Sequence, residues 1–305
     1  MKQEKRSAFV TIVGIPNVGK SSLLNRILKQ KIAIVSSKPQ TTRTRITGIY
    51  TEGDDQLVFI DTPGLHKPKT ELGQFMVKAI NESVDGGDLA VLVVDATEKE
   101  AKKGELSMIE KLRRSHMPAI LAINKIDCLK NKKEELLEII LRFSSLYDFD
   151  AVVPLSAQTG EGVDALIEEL KKHTVEGGHF FSDDELTDQP EKVLAAEMIR
   201  EKILRLTDKE IPHGVAVVIE RMKQRDGVNI LDIDATIYCE RDTHKGILIG
   251  KGGSRLKKIS TYARQDMENF FDCKVNLQTW VKVKEDWRNR RALLQNFGYD
   301  SKNFD

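Results

Sequence analysis

Gly14 and Gly19, separated by four residues, lead directly into Lys20 and the hydroxyl residue Ser21. Glycines at this spacing let the backbone fold back so that consecutive N–H groups point inward, and a helix starting there adds its positive end. The amides of Val18, Gly19, Lys20, Ser21 and Ser22 would then cradle phosphate oxygens. Lys20 reaches the β- and γ-phosphates as a mobile point charge, and the Ser21 hydroxyl is a hard ligand for Mg²⁺. A chance Gly/Lys/Ser turn is the bland alternative. It loses ground because an apolar, β-branched run (8–13) precedes the turn and a helically spaced run (22–28) follows it.

Other residues have types suited to the same ligand. Residues 31–45 are polar and hold Thr41-Thr42-Arg43. In a nucleotide switch a Thr hydroxyl here closes onto Mg²⁺ and the γ-phosphate; Thr42 is the choice, with Thr41 its rival. Asp61-Thr62-Pro63-Gly64 ends a strand pattern, placing Asp61 to hold Mg²⁺ through water and the Gly64 N–H to meet the γ-phosphate. Leu65 follows, where Ras-like enzymes carry a water-orienting Gln, and no general base is evident. In Asn124-Lys125-Ile126-Asp127, Asp127 accepts from guanine N1–H and the exocyclic amine, a pairing adenine does not offer. Lys125 lays its stem over the base and Asn124 ties this loop to the phosphate loop. Ser156-Ala157 closes the set, with the Ala157 N–H aimed at guanine O6.

The elements that must position these residues alternate. Strand patterns lie at 46–51, 56–60, 89–95, 119–123 and 151–155, with helical patterns over 105–114 and 162–172. Alternation predicts an α/β fold, a mostly parallel sheet covered on both faces. Ligands in such a fold sit at the strand carboxyl ends, where each of these motifs falls.

The chain then changes character. Residues 173–190 are small, polar and acidic and read as a linker, with Phe180 and Phe181 anchoring it. A helix is expected over 191–206, strands over 215–223 and 230–239, and then Ile249-Gly250-Lys251-Gly252-Gly253 leading into a basic helix. Gly250 and Gly253 allow a turn tight enough to sit against sugar-phosphate. Lys251, Arg255, Lys257, Lys258 and Arg264 supply charge, with no acid from 245 to 265. An apolar groove of Ile233, Ile247 and Ile249 is expected to take unstacked bases. A strand over 275–284 and a final helix follow, with Trp280 and Trp287 expected to pack. Arg288, Arg290 and Arg291 are expected mainly to be solvated, with RNA or anionic lipid as the other reading.

The 305 residues suit about two domains, and a net charge of +1 confines any nucleic-acid surface to a local patch. Cys128, Cys239 and Cys273 lack paired spacing, which argues for reduced thiols and against a metal or disulfide framework. Without a signal-peptide core or a run approaching the ~20 apolar residues of a membrane span, the expectation is a soluble cytoplasmic protein. No coiled-coil pattern suggests more than a monomer.

The ordered motifs resemble a translation-factor-like GTP-binding domain. Asn17, Gln40-Thr41-Thr42-Arg43 and Leu65, together with the C-terminal Gly-x-x-Gly, resemble the bacterial Era family over nearly the whole chain. That resemblance implies a P-loop NTPase domain at 1–172, a linker at 173–190 and an α+β type II KH domain at 191–305. It implies GTP/GDP and Mg²⁺ as ligands, hydrolysis placed by Lys20, Thr42, Asp61 and Gly64, and single-stranded RNA as partner. The RNA would be the 3′ end of small-subunit rRNA, the role maturation of the small ribosomal subunit, and any membrane contact peripheral on the inner face. By analogy with potassium-activated GTPases, Asn17 ligates K⁺; a loop-capping amide is an equal alternative. An adenine-nucleotide enzyme, or an RNA-binding module with a vestigial nucleotide domain, are the competing functions.

Overall fold

The computed structural model describes residues 4–38, 40–64, 68, 70–208 and 211–299. Leu65 therefore lies outside the described residues. The chain forms two compact units. One comprises Met1–Ala33, Thr42–Lys67 and Met76–Asp188, the other Ile34–Thr41, Pro68–Phe75 and Gln189–Asp305.

In the first unit, β1 (Arg6–Val13), β2 (Ile46–Glu52), β3 (Asp55–Asp61), β4 (Leu89–Asp95), β5 (Ala119–Asn124), β6 (Ala151–Pro154) and β7 (Val175–Glu176) share one sheet. Its order is β2-β3-β1-β4-β5-β6. β2 is antiparallel to β3, β7 pairs antiparallel with the start of β1, and the remaining pairs are parallel. β4 and β5 are almost continuously apolar because both of their faces are buried. On α1 (Lys20–Leu28), Leu23, Leu24, Ile27 and Leu28 turn inward. The other helices are α2 (Glu71–Asp85), whose first residues belong to the second unit, α3 (Lys103–Ser115), α4 (Lys132–Ser144) and α5 (Val163–Lys171).

α2 and α4 were not expected from the pattern. α2 buries Leu72, Met76, Ala79 and Ile80 at helical spacing, but the run starts within a polar loop that masks it. α4 buries only Ile139 and Phe143 and leaves Leu137 and Leu141 exposed, which blurs its period. Residues 173–188 belong to the first unit. Phe180 packs on Phe9, with ring centroids 4.7 Å apart, and Gln56 Oε1 accepts from the Phe180 and Phe181 amides.

In the second unit, β8 (Val215–Gln224), β9 (Ile230–Cys239) and β10 (Lys274–Val283) form a sheet of order β10-β9-β8, with β9 and β10 parallel. Against it pack α6 (Glu191–Leu206), α7 (Asp242–Ile249) and α8 (Ser254–Phe271), and α9 (Arg291–Asn296) closes the chain. The core joins Met198, Ile199 and Ile203 of α6 to Ile233, Ala235 and Ile237 of β9 and Ile259, Ala263 and Met267 of α8.

Two expectations fail here. Trp287 is fully buried and donates from Nε1 to the Gly214 carbonyl, but Trp280 is 46% exposed and so does not pack. Strand alternation explains it: Val275 and Val281 take the core face of β10, which turns Trp280 outward. Arg288, expected to be solvated, makes a two-pronged ion pair with Glu240 at 2.6 and 2.9 Å.

Candidate nucleotide site and nucleic-acid surface

The ends of β1, β3, β5 and β6 bring the first set of motifs together. Gly19 has φ of +100°, and a Cβ on it would lie 2.2 Å from Asn124 Nδ2, so only glycine fits. Asn124 Nδ2 donates to the Val18 carbonyl at 2.7 Å. Its Oδ1 accepts from the amides of Lys125 and Ala157 at 2.8 and 2.9 Å. One carboxamide thus ties the phosphate loop to both base-side loops. The Ala157 amide, expected to serve guanine O6, already donates to Asn124, and a base oxygen would have to share it.

Lys20 is buried, and its ammonium donates to the Gly14 and Ile15 carbonyls, both at 3.0 Å. Burial lowers its pKa to about 8, partly offset by the Asp61 charge. Asp61 is fully buried, and burial raises its carboxyl to about 6 against the pull of Lys20 and hydrogen bonds from Ser21 and Thr42. Ser21 Oγ lies 2.6 Å from Asp61 Oδ2 and 2.9 Å from Thr42 Oγ1. Thr41 Oγ1 turns away and donates to the Lys38 carbonyl at 2.6 Å. Gly64 lies against the phosphate loop, where an added Cβ would come within 2.8 Å of Pro16 Cα.

Asp61 Oδ1 is buried with no hydrogen-bond partner. Two hydroxyls within hydrogen-bond distance of each other, beside a carboxylate with one unmatched oxygen, are a hard-oxygen donor set that fits Mg²⁺. Asn17 adopts a left-handed conformation, φ +67°, and its side chain is exposed.

On the base side, Asp127 is exposed, and a hydrogen bond from Ser156 holds its carboxyl below the ordinary range. Lys125 Nζ donates to the Asn17 carbonyl at 2.8 Å and to Asp95. Sequence reasoning missed Asp95, although the signal was available: it ends β4, and of the parallel strands β1, β3, β4, β5 and β6, β4 alone carried no assigned residue at its carboxyl end. It also missed Arg26, whose Nε donates to the Ala157 carbonyl at 3.0 Å and fixes the base-side loop to α1.

In the second unit, Gly250, Gly252 and Gly253 all have positive φ, at 71°, 57° and 78°. Lys251, Lys257 and Lys258 are exposed beside this turn. Arg255 braces it, donating to the Ile247 carbonyl at 2.7 Å. Arg264 pairs with Glu268 on its own helix. Of the apolar groove, Ile247 is exposed and Ile249 half-buried, but Ile233 is fully buried in the core and lines nothing. Strand alternation turns Ile233 inward, a direction that spacing in sequence does not reveal. Exposed Tyr262, one turn after Lys258 whose ammonium lies 5.7 Å from its ring centre, is an aromatic surface the sequence reading overlooked.

A phosphate-loop motif with an Asn-Lys-x-Asp loop in one unit, and a Gly-x-x-Gly turn with a basic helix in the other, define a P-loop GTPase joined to a KH domain. The family described as "50S ribosome-binding GTPase" matches residues 9–125, and the KH domain family matches 210–288. GTPase Era of Clostridioides difficile (strain 630) is 52% identical over 297 residues, 97% of this chain and 99% of that protein. The chain belongs to the Era family of GTPases. GTPase Era of Ruminiclostridium cellulolyticum is 48% identical over 96% of the chain and 97% of its own length. Among solved structures, Era in complex with MgGDPNP and nucleotides 1506–1542 of 16S ribosomal RNA superposes with a TM-score of 0.92. It is 38% identical, and the match covers 97% of this chain and 99% of that one. A variant of Aquifex aeolicus Era bound to GDP·AlF4⁻ matches with a TM-score of 0.90 at 38% identity, over 96% of this chain and 99% of that one.

Proposed function

We propose that this GTPase couples its nucleotide state to its grip on the single-stranded 3′ end of small-subunit rRNA, during maturation of the small ribosomal subunit. The observation that carries the proposal is the convergence of Ser21, Thr42 and Asp61, with Asp61 Oδ1 buried and unmatched. Ser21 and Thr42 would hold Mg²⁺ directly and Asp61 through water. When bound, that ion neutralises developing charge between the β- and γ-phosphates.

Lys20 would exchange its carbonyl partners for phosphate oxygens, which stabilises its charged form. Gly64 would offer its amide to the γ-phosphate, with Thr42 and Gly64 together shutting bulk water from the reacting end. Asp127, pre-oriented by Ser156, would select guanine, and Lys125 would cover the base. Asn17 remains the proposed K⁺ ligand. Nothing on the chain near the γ-phosphate is assigned as a general base, so hydrolysis would rest on positioning.

The basic turn of Ile249 to Gly253 with Arg255, Lys257 and Lys258 would meet the RNA, and Tyr262 would add a stacking face. The proposed domains are 1–172, 173–190 and 191–305, acting as a monomer beside the ribosomal subunit in the cytoplasm, with any membrane contact peripheral. Among the described residues no helix is long and apolar enough to cross a membrane.

The test is the dissociation constant of an oligonucleotide of that rRNA 3′ end, at fixed salt, with GDP and with a non-hydrolysable GTP analogue. Tighter binding with the analogue supports the coupling; equal affinities would remove it.

A further inference from the structure

The segment Ile34–Thr41 belongs to the second unit, and Thr42 starts the next stretch of the first. A single peptide bond therefore joins the proposed Mg²⁺ ligand Thr42 to a residue held by the second unit. What holds it is specific. Arg200 on α6 is almost completely buried, and its guanidinium donates to the Thr41 carbonyl while pairing with Glu197.

The same helix face holds the other end of the segment. Glu201 Oε1 accepts from the Val35 amide at 3.0 Å, and Arg205 donates to the Val35 carbonyl at 3.0 and 3.2 Å. Between them, Lys38 pairs with Asp208 at 2.6 Å. The face continues toward α8: Lys202 is 2.8 Å from Glu201 and also pairs with Asp266. α8 is the helix that the Gly250–Gly253 turn opens.

Burying an arginine is costly. Here only Nε and one terminal nitrogen of Arg200 are matched while Nη1 is buried without a partner among the described residues, so the bond to the Thr41 carbonyl has few alternatives. Burying Arg200, Glu201 and Lys202 at successive positions of α6 is not needed merely to pack; apolar residues there would pack at less cost. Fixing Val35 and Thr41 instead defines one of the two arrangements that a two-state element needs.

Resting on the function proposed above, we infer that Arg200 is the positioning residue that links Thr42 to the RNA-binding unit. Closure of Thr42 onto the nucleotide site and the Arg200–Thr41 bond favour one another. By reciprocity, RNA binding then raises affinity for the triphosphate by the factor by which the triphosphate raises affinity for RNA.

The experiment measures the ratio of RNA dissociation constants with GDP and with the GTP analogue. It uses the full chain, wild type, Arg200→Gln, Arg200→Lys and Arg205→Ala, and the 3′-end oligonucleotide. Arg205 is half-exposed, so its removal leaves the fold intact and tests the same segment should Arg200→Gln fold poorly. The expected result is a wild-type ratio above one that falls to within twofold of one in Arg200→Gln. Arg200→Lys and Arg205→Ala keep part of it, and RNA affinity of the GDP form stays unchanged. The effect of RNA on analogue affinity falls by the same factor. A wild-type ratio retained by Arg200→Gln and Arg205→Ala overturns the role of this helix face while leaving the coupling itself standing. A ratio of one in the wild type overturns both.

Discussion

Lys125 Nζ lies 2.5 Å from Asp95 Oδ2, linking the base-side loop to the end of β4. Burial opposes ionisation of Asp95, but hydrogen bonds from Lys125 and Thr97 outweigh it and hold the carboxyl below its usual range. Since the same ammonium bonds the Asn17 carbonyl, Asp95 fixes a lysine that reaches the phosphate loop. Asp95→Asn should weaken GDP binding about fivefold to tenfold, the ~1–1.4 kcal/mol of an ordinary hydrogen bond. The loss should appear in the dissociation rate of a fluorescent GDP, with guanine preference intact. An unchanged rate would remove Asp95 from the site.

The burial of Asp61 predicts a pH dependence. Its folded pKa of about 6 stands above its ordinary 3.8. The resulting contribution to stability of the nucleotide-free protein is full below about pH 4 and is lost as pH rises through about 6. At pH 7 the ionised carboxylate therefore strains the site, by up to about 3 kcal/mol. Asp61→Asn should melt higher than wild type at pH 7 without nucleotide, and the gap should close below pH 5. The same variant should lose Mg²⁺-dependent stabilisation by nucleotide. A calorimetric series with no pH-dependent gap would contradict the burial argument.

Lys251 and Tyr262 should separate charge from stacking on the RNA surface. Lys251→Ala should weaken binding and flatten the slope of log affinity against log salt by about 0.7, the value for one phosphate contact on a single strand. Tyr262→Ala should cost about 1–3 kcal/mol with the slope unaltered. Salt titrations of RNA binding distinguish these, and a Tyr262→Ala variant that binds like wild type would leave the ring without a role.

Asn17 has two readings, and the monovalent cation decides between them. As a K⁺ ligand it makes kcat higher in KCl than in NaCl at equal ionic strength, and Asn17→Ala abolishes the difference. As a loop cap in a left-handed turn, φ +67°, it makes the rate indifferent to the cation, and Asn17→Gly is then the well-tolerated change.

Much of the nucleotide site was legible because its chemistry is local. Gly14 to Ser21, Asp61 to Gly64 and Asn124 to Asp127 each put backbone turn and side-chain function within a few residues, and hydrophobic period located the strands that carry them. α2 and α4 escaped because one starts in a polar loop and the other leaves leucines exposed. Ile233 was misplaced for a related reason: a residue's spacing shows that it has a face, but the neighbouring strands decide which face is inside.

The amino-acid order by itself determined the class of ligand, the residue types that meet it and the succession of two α/β and α+β modules. Only the tertiary structure decided that Asn124 serves three loops, that Thr42 rather than Thr41 turns toward Ser21, and that Arg200 lies beneath Thr41. These are contacts between residues 21 to 159 positions apart. Periodicity and motif spacing report on neighbours along the chain, whereas a buried polar group takes its partner from whatever the packed elements bring beside it.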